Sequence, residues 1–222
     1  RPAAPVVWGI SATPKRFVNA MTDLGRNTRA HTIDVDDVRS SGLLKDQIVL
    51  GHTDGVEAAE TTLVRHAVRR TRQYHDRWRE YTTSSGDEDV LPALVVQVAD
   101  KPSANDLADL VGTVLDEWPE ISASNIVHVF GDHSDLQVGE SKIHWCPPED
   151  IQDRSSARVV FCKTAITTGW DCPRAEVLVS LRVAKDIDSI TQVMGRMVRT
   201  PLARRVNTDE SLNSVHCILP RF

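Results

Sequence analysis

The sequence has no CxxC pair, no long apolar run, no leader-like start and no internal repeat. Its four cysteines, Cys146, Cys162, Cys172 and Cys217, lie far apart, which argues against a zinc site and suits a reducing compartment. Single buried thiols packing as small hydrophobes are the expectation. No apolar stretch approaches the roughly 18 residues a membrane span needs, and the first residues lack the basic, apolar, then small order of a signal peptide. No membrane partner is expected, and the expected location is cytoplasmic. The chain also lacks an excess of positive charge, with a formal net charge of -5.

What is present suffices for a folded domain. A chain of 222 residues with 41% apolar content can bury a real core, and its length fits one sizeable domain or one domain with a long insertion. The charge is segregated, so the acidic total does not exclude nucleic acid. Residues 65 to 79, "RHAVRRTRQYHDRWR", carry Arg65, Arg69, Arg70, Arg72, Arg77 and Arg79 against Asp76 alone, and residues 196 to 205 hold four arginines and no acid. Val64, Ala67, Val68, Thr71, Tyr74, Trp78 and Tyr81 recur at helical spacing, so a long helix is expected from Val56 to about Tyr81 with its arginines on a solvated face. Before it, "HTIDVDDVRSSGLLKDQIVL" reads as short extended pieces around a turn.

After the polar loop "TTSSGDEDVLP" the pattern alternates between strand and helix. "ALVVQV", "NIVHVF", "ARVVFC", "AEVLVSL" and "SVHCILP" are strands, and "SANDLADLVGTVLDEW" is a helix with Ser103 as its N-cap. The stretch "GDHSDLQVGESKIHWCPPEDIQD" is irregular. Runs of Val, Ile and Leu without polar alternation are strands buried on both faces, which points to an α/β fold with a parallel sheet and helices on both sides. In such sheets ligands sit beyond the carboxyl ends of the strands. There lie Lys101 and Ser103, Gly131 and His133, and the loop "KTAITTGWD" with Lys163, Thr164, Gly169 and Asp171. Near the C-terminus "SITQVMGRMVRTP" places Gln192, Arg196 and Arg199 at i, i+4 and i+7 of an expected helix from Ile187 to Val198, so three planar hydrogen-bonding side chains share one face.

Three stretches in a fixed order, "SAT" (Ser11 to Thr13), "TTGWDCP" (Thr167 to Pro173) and "QVMGRMVR" (Gln192 to Arg199), resemble motifs III, V and VI of superfamily 2 helicases, most nearly the helicase subunit of type III restriction enzymes. The last matches Gln-x-x-Gly-Arg-x-x-Arg through Gln192, Gly195, Arg196 and Arg199, and the second matches Gly-Trp-Asp through Gly169, Trp170 and Asp171. The resemblance implies a second RecA-like domain over residues 91 to 222, the tail of an upstream first RecA-like domain over residues 1 to 15, and a connecting region from 16 to 90 that forms a helical insertion.

It also implies chemistry. ATP with Mg2+ would bind in the cleft between the two domains, mainly on the upstream one, with Arg199 as arginine finger, Arg196 near the γ-phosphate, Gln192 orienting nucleotide or water, and Gly169 and Asp171 at the nucleotide. Ser11 and Thr13 would couple hydrolysis to movement, although "SATP" by itself is only a strand end before a proline turn. Lys163, Thr164, Lys101 and Ser103 would contact nucleic acid, with DNA the expected partner. The sequence departs from the pattern in having Lys163 or Thr164 where relatives carry a threonine on the nucleic-acid backbone. It also contains no GxxxxGK[ST] and no DExH box after a buried strand, so the chain alone is expected to be inactive. A repair or RNA-processing motor of the same superfamily is a rival reading, and a non-enzymatic module that docks nucleic acid or protein on its arginine-rich helix is another.

Overall fold

A computed structural model describes residues 6–9, 15–51, 59–163, 170–182 and 193–219. In chain order its elements are α1 (Lys15–Asp23), α2 (Val35–Ser40), β1 (Gln47–Gly51), α3 (Glu60–Ser85), β2 (Ala93–Gln97), α4 (Ala104–Glu117), β3 (Ile126–His128), β4 (Leu136–Val138), β5 (Ser141–Trp145), β6 (Val159–Cys162), β7 (Ala175–Ser180) and β8 (Ser214–Ile218). A short helix also covers 193–197. The chain divides into two units, Arg1–Val35 and Asp36–Phe222. In the first, α1 buries none of its residues.

The second unit is built on a sheet with strand order β1-β8-β7-β2-β6-β3-β5-β4 among the described residues. Every pairing is parallel except that of β4 with β5. The apolar runs are central: all described residues of β2, β6 and β7 are buried. Alternate side chains feed two cores. Leu94, Val96, Val159, Phe161, Val177 and Val179 pack toward α3 and α4, while Val95, Val160, Leu178 and Val215 face a second cluster with Trp170, Val193 and Met197. This mostly parallel sheet, covered on one face by α3 and α4 and on the other by the second cluster with the short 193–197 helix, is the α/β architecture with a parallel sheet expected from the sequence.

All four cysteines are free and buried, and all belong to the second cluster. Burial pushes the Cys162 and Cys217 thiols up to about 12, so they pack as neutral apolar groups.

Helix α3 buries Leu63, Val64, Ala67, Val68, Thr71, Tyr74, Trp78 and Thr82, a stripe at 3 and 4 spacing, and each large apolar side chain covered this way contributes about 1.5–3 kcal/mol. The helix ends at Gly86, whose φ of 73° is left-handed and whose N–H donates to the Thr82 carbonyl. It runs four residues past the expected Tyr81. Its arginines do lie on an exposed face, as expected, with Arg65, Arg69, Arg77 and Arg79 exposed, but most of them are also paired across elements. Arg65 and Arg69 both donate to Glu117 at 2.8 Å, Arg72 donates to the Glu117 carbonyl and to Glu120, Arg70 reaches His216, and Arg77 contacts Asp209. The row that suggested a docking module ties α3 to α4 and to the approach to β8.

The hydrogen bond from Arg69, reinforced by the charges of Arg69 and Arg65, holds the Glu117 carboxyl below its ordinary range. A depressed carboxyl contributes stability that is present above its unfolded value and lost as pH falls through the folded one. Wild type is therefore expected to lose more stability on acidification than Glu117→Gln, with the two converging at acid pH in urea melts.

Three local expectations change. Residues 35 to 40 are helical, with Asp36 and Asp37 in the first turn of α2, where carboxylates suit the positive end of the helix dipole. Strand β1 and helix α3, expected in a connecting region, build into the sheet and its cover, because β1 pairs with β8 throughout its length. The irregular stretch after β3 contains the β4–β5 hairpin, which closes through Gly139 and Glu140.

Candidate functional site

Lys163, just after β6, and the Trp170–Asp171 pair before β7 each organise a cluster of polar side chains. At the pair, Trp170 is fully buried in the second core cluster, and Val193 and Met197 are buried beside it. The apolar side of the short helix thus holds it against the Trp170 side chain, and Arg196 Nη1 donates to the Trp170 carbonyl at 2.9 Å. One residue on, Arg199 Nη1 donates to and forms an ion pair with Asp171. Both of these side chains are about half exposed, Arg199 at 61% and Asp171 at 47%. Residues that only a sequence pattern linked are therefore brought together.

Their arrangement differs from the expected single helical face. The helix ends at Met197. The Val198 carbonyl accepts from the Lys45 N–H at 2.7 Å, and the Thr200 N–H donates to the Leu43 carbonyl at 3.0 Å, so Arg199 bridges antiparallel to Leu44. Pro201 removes the next donor and disfavours helix at Thr200. Gly42, just before these residues, has a φ of +71° and packs against the Arg204–Arg205 backbone, where an added Cβ would stand 2.5 Å from the Arg205 nitrogen. Gly195 is different, since a Cβ there would meet open space.

In the other cluster, Lys163 Nζ lies 4.6 Å from the centre of the Phe130 ring. Its carbonyl accepts from Arg182 Nη1 at 3.1 Å, and Arg182 also forks onto Asp100 at 2.6 and 3.1 Å. The Trp145 indole N–H donates to the Phe130 carbonyl at 3.1 Å, and His133, with a φ of 50°, lies with its ring centre 4.6 Å from that of Trp145. Asp135 fixes the far side of this group. It accepts from the Trp145 N–H and pairs with Lys142 and His144, and those contacts, the backbone N–H first, hold its carboxyl well below the usual carboxylate range.

Lys101 and Gly131 are exposed in the loops after β2 and β3. Ser103 is occupied in capping α4, since its hydroxyl accepts from the Asp106 N–H while the Asp106 carboxylate accepts from the Ser103 N–H, both at 3.1 Å. Ser11, Thr13, Thr164, Gly169 and Gln192 lie outside the described residues. The sequence reading missed Phe130, Trp145, Arg182 and Asp100. Trp145 was hidden in the stretch read as irregular, and Arg182 is recognisable only from the carbonyl and carboxylate it meets across strands.

No protein-family model and no curated protein matches this chain. Among solved structures it is similar to a fragment assigned as the HsdR subunit of a type I restriction enzyme from Vibrio vulnificus YJ016, at 15% identity and a TM-score of 0.44, over 81% of this chain and 32% of that one. It is also similar to domain 2 of the DEAD-box helicase Mss116p bound to an RNA duplex, at 13% identity and a TM-score of 0.42, over 79% of this chain and 54% of that one. The chain thus spans about a third and about half of these two proteins. What it does must be read from its side chains.

Proposed function

We propose that this chain is the second RecA-like domain of an ATP-dependent helicase or translocase of superfamily 2, acting on DNA and of the type III restriction kind. The observation that carries this reading is the convergence of Arg196 and Arg199 on the Trp170–Asp171 pair. Two guanidinium groups held at a loop beyond a parallel sheet, one of them half exposed and paired with an equally exposed carboxylate, fit the phosphate charge of ATP. A planar, permanently charged fork donates to phosphate oxygens in a fixed geometry. Among the described residues no group of three His, Cys, Asp or Glu side chains could hold a metal ion. In this reading the chain supplies cations and donors, and Mg2+ would come with the nucleotide and the upstream domain.

In this reading Arg199 rests on Asp171 until a phosphate competes for its guanidinium. Arg196 stays on the Trp170 carbonyl and holds the two segments in register. The charge brought by Arg199 stabilises the transferring phosphoryl group in a cleft closed by the upstream domain. Lys163 supplies a cation beside Phe130, Trp145 and His133 at the strands' carboxyl edge, where a nucleic-acid backbone would run. A lysine on phosphate contributes through charge and counterion release, so Lys163→Ala is expected to weaken binding of single-stranded DNA across all sequences and to reduce the slope of log affinity against log salt by about one. The deciding experiment is ATP turnover by the protein extended through its upstream domain. Stimulation by duplex DNA is the expected result, stimulation by RNA alone would overturn the DNA assignment, and no nucleic-acid dependence would overturn the motor. Among the described residues no helix is long and apolar enough to cross a membrane.

A further inference from the structure

On the opposite edge of the sheet from Lys163, a cleft of about 210 Å³ opens between α3, the end of α4 and the start of β6. Arg158, immediately before β6, lines it and is only 8% exposed. Its Nε donates to the Pro92 carbonyl at 3.1 Å and its guanidinium lies 4.8 Å above the Trp118 ring, yet Nη2 is buried with no hydrogen-bond partner among the described residues. His75 lines the same cleft, and its Nδ1 is likewise buried without a partner. The two acids in the lining are already engaged: Glu120 pairs with Arg72 at 2.9 Å and Asp76 with Arg79 at 3.6 Å. One buried positive charge is left over. Natural interiors match such charges with an anion or a dense set of acceptors, and the neighbouring buried Arg174 has that set, donating to the carbonyls of Leu91, Ile151, Gln152, Arg154 and Ala157. Arg158 does not.

We propose that this cleft binds a small oxyanion, the shared chemistry of a carboxylate and a phosphate group, between Arg158 Nη2 and the Nδ1–H tautomer of His75. Burial, and then the Arg158 charge, lower the His75 imidazole from its ordinary range, so it serves as a neutral donor and leaves the guanidinium as the charge that selects an anion. The volume corresponds to roughly seven waters at about 30 Å³ each, which accommodates either group with part of its hydration. The Trp118 ring under the guanidinium fixes the plane of the fork.

The test follows the side-chain nitrogen signals of Arg158 and His75 in the whole chain during titration with inorganic phosphate and, separately, with acetate, against sodium chloride at matched ionic strength. Saturable shifts of both signals are expected, with phosphate the tighter probe if the site is tetrahedral and acetate if it is planar. Arg158→Gln is expected to weaken the response by about ten- to hundredfold, the range for hydrogen bonds to charged groups. Because that variant removes a buried side chain and can fail to fold, His75→Glu provides the second arm. A carboxylate placed beside Arg158 is expected to raise the melting temperature and abolish the anion response. The proposal is overturned if neither anion shifts the signals beyond the chloride control, or if His75→Glu lowers the melting temperature; the cleft then holds only water.

Discussion

In the proposed motor, with an upstream nucleotide-binding domain attached, Arg199→Ala is expected to lower DNA-stimulated ATP turnover by about 10³-fold or more, the usual range for an arginine finger. That corresponds to roughly 4 kcal/mol of transition-state stabilisation. Nucleotide binding should survive, because in the proposed motor the phosphates would be cradled mainly by the upstream domain. Stability should also survive, since Arg199 and Asp171 are both about half exposed and substitutions at such positions usually shift stability by no more than about 0.5 kcal/mol. A melt performed beside the assay separates lost chemistry from lost fold. Arg199→Lys should recover little, because an ammonium is a point charge and cannot present two parallel donors. Turnover indifferent to Arg199, with nucleotide bound, would remove the mechanism.

The contrast with Arg196 sharpens this expectation. Arg196 is half-buried and donates to the Trp170 carbonyl, so its loss removes a link between the two segments as well as a charge. Arg196→Ala is therefore the weaker diagnostic, since a fall in turnover there would mix positioning with catalysis.

Much of the fold was legible because its central strands are buried on both faces: β2, β6 and β7 read as unbroken apolar runs. Arg199 and Asp171 were each singled out from the sequence, but that they pair with one another is seen only in the structure. What escaped the reading depends on tertiary partners. The helix stops before Arg199 because Lys45 and Leu43 take its backbone groups, and neither is near it in sequence. The arginines of α3 are exposed as expected, but their partners were not legible because Glu117, Glu120 and Asp209 lie on other elements. The β4–β5 hairpin is short and half polar, so its pattern carried too little signal. Arg158 drew no notice as a lone arginine, and only its burial without a counter-charge marks it.

Replacing Lys45 should have the largest effect on stability. Lys45 and Glu176 form a 3.1 Å ion pair with both side chains fully buried, and the Trp78 indole N–H donates to the other carboxylate oxygen at 2.6 Å. The same lysine donates from Nζ to the Pro173 carbonyl at 3.4 Å and from its backbone to Val198. The Lys45–Glu176 pair thus joins α3, β7 and the segment after Asp171, and the Lys45 backbone holds the segment before Arg199. Lys45→Met leaves a buried carboxylate without its cation, a loss of about 3–5 kcal/mol against a typical total of about 5–15 kcal/mol. The double variant Lys45→Met with Glu176→Leu removes both charges and should recover most of the loss, because an apolar pair avoids the desolvation cost. The pH dependence gives an independent check. Burial pushes the Glu176 carboxyl up, opposed mainly by Lys45, and in Lys45→Met that opposition is gone. A raised folded value means that stability is fully present below the unfolded value of about 4.3 and falls as pH rises through the folded one. In urea melts the deficit of Lys45→Met relative to wild type is therefore expected to be small near pH 5 and large at pH 8. A deficit independent of pH would mean that lost packing dominates, with the ion pair contributing little to the frame that presents Asp171 and Arg199.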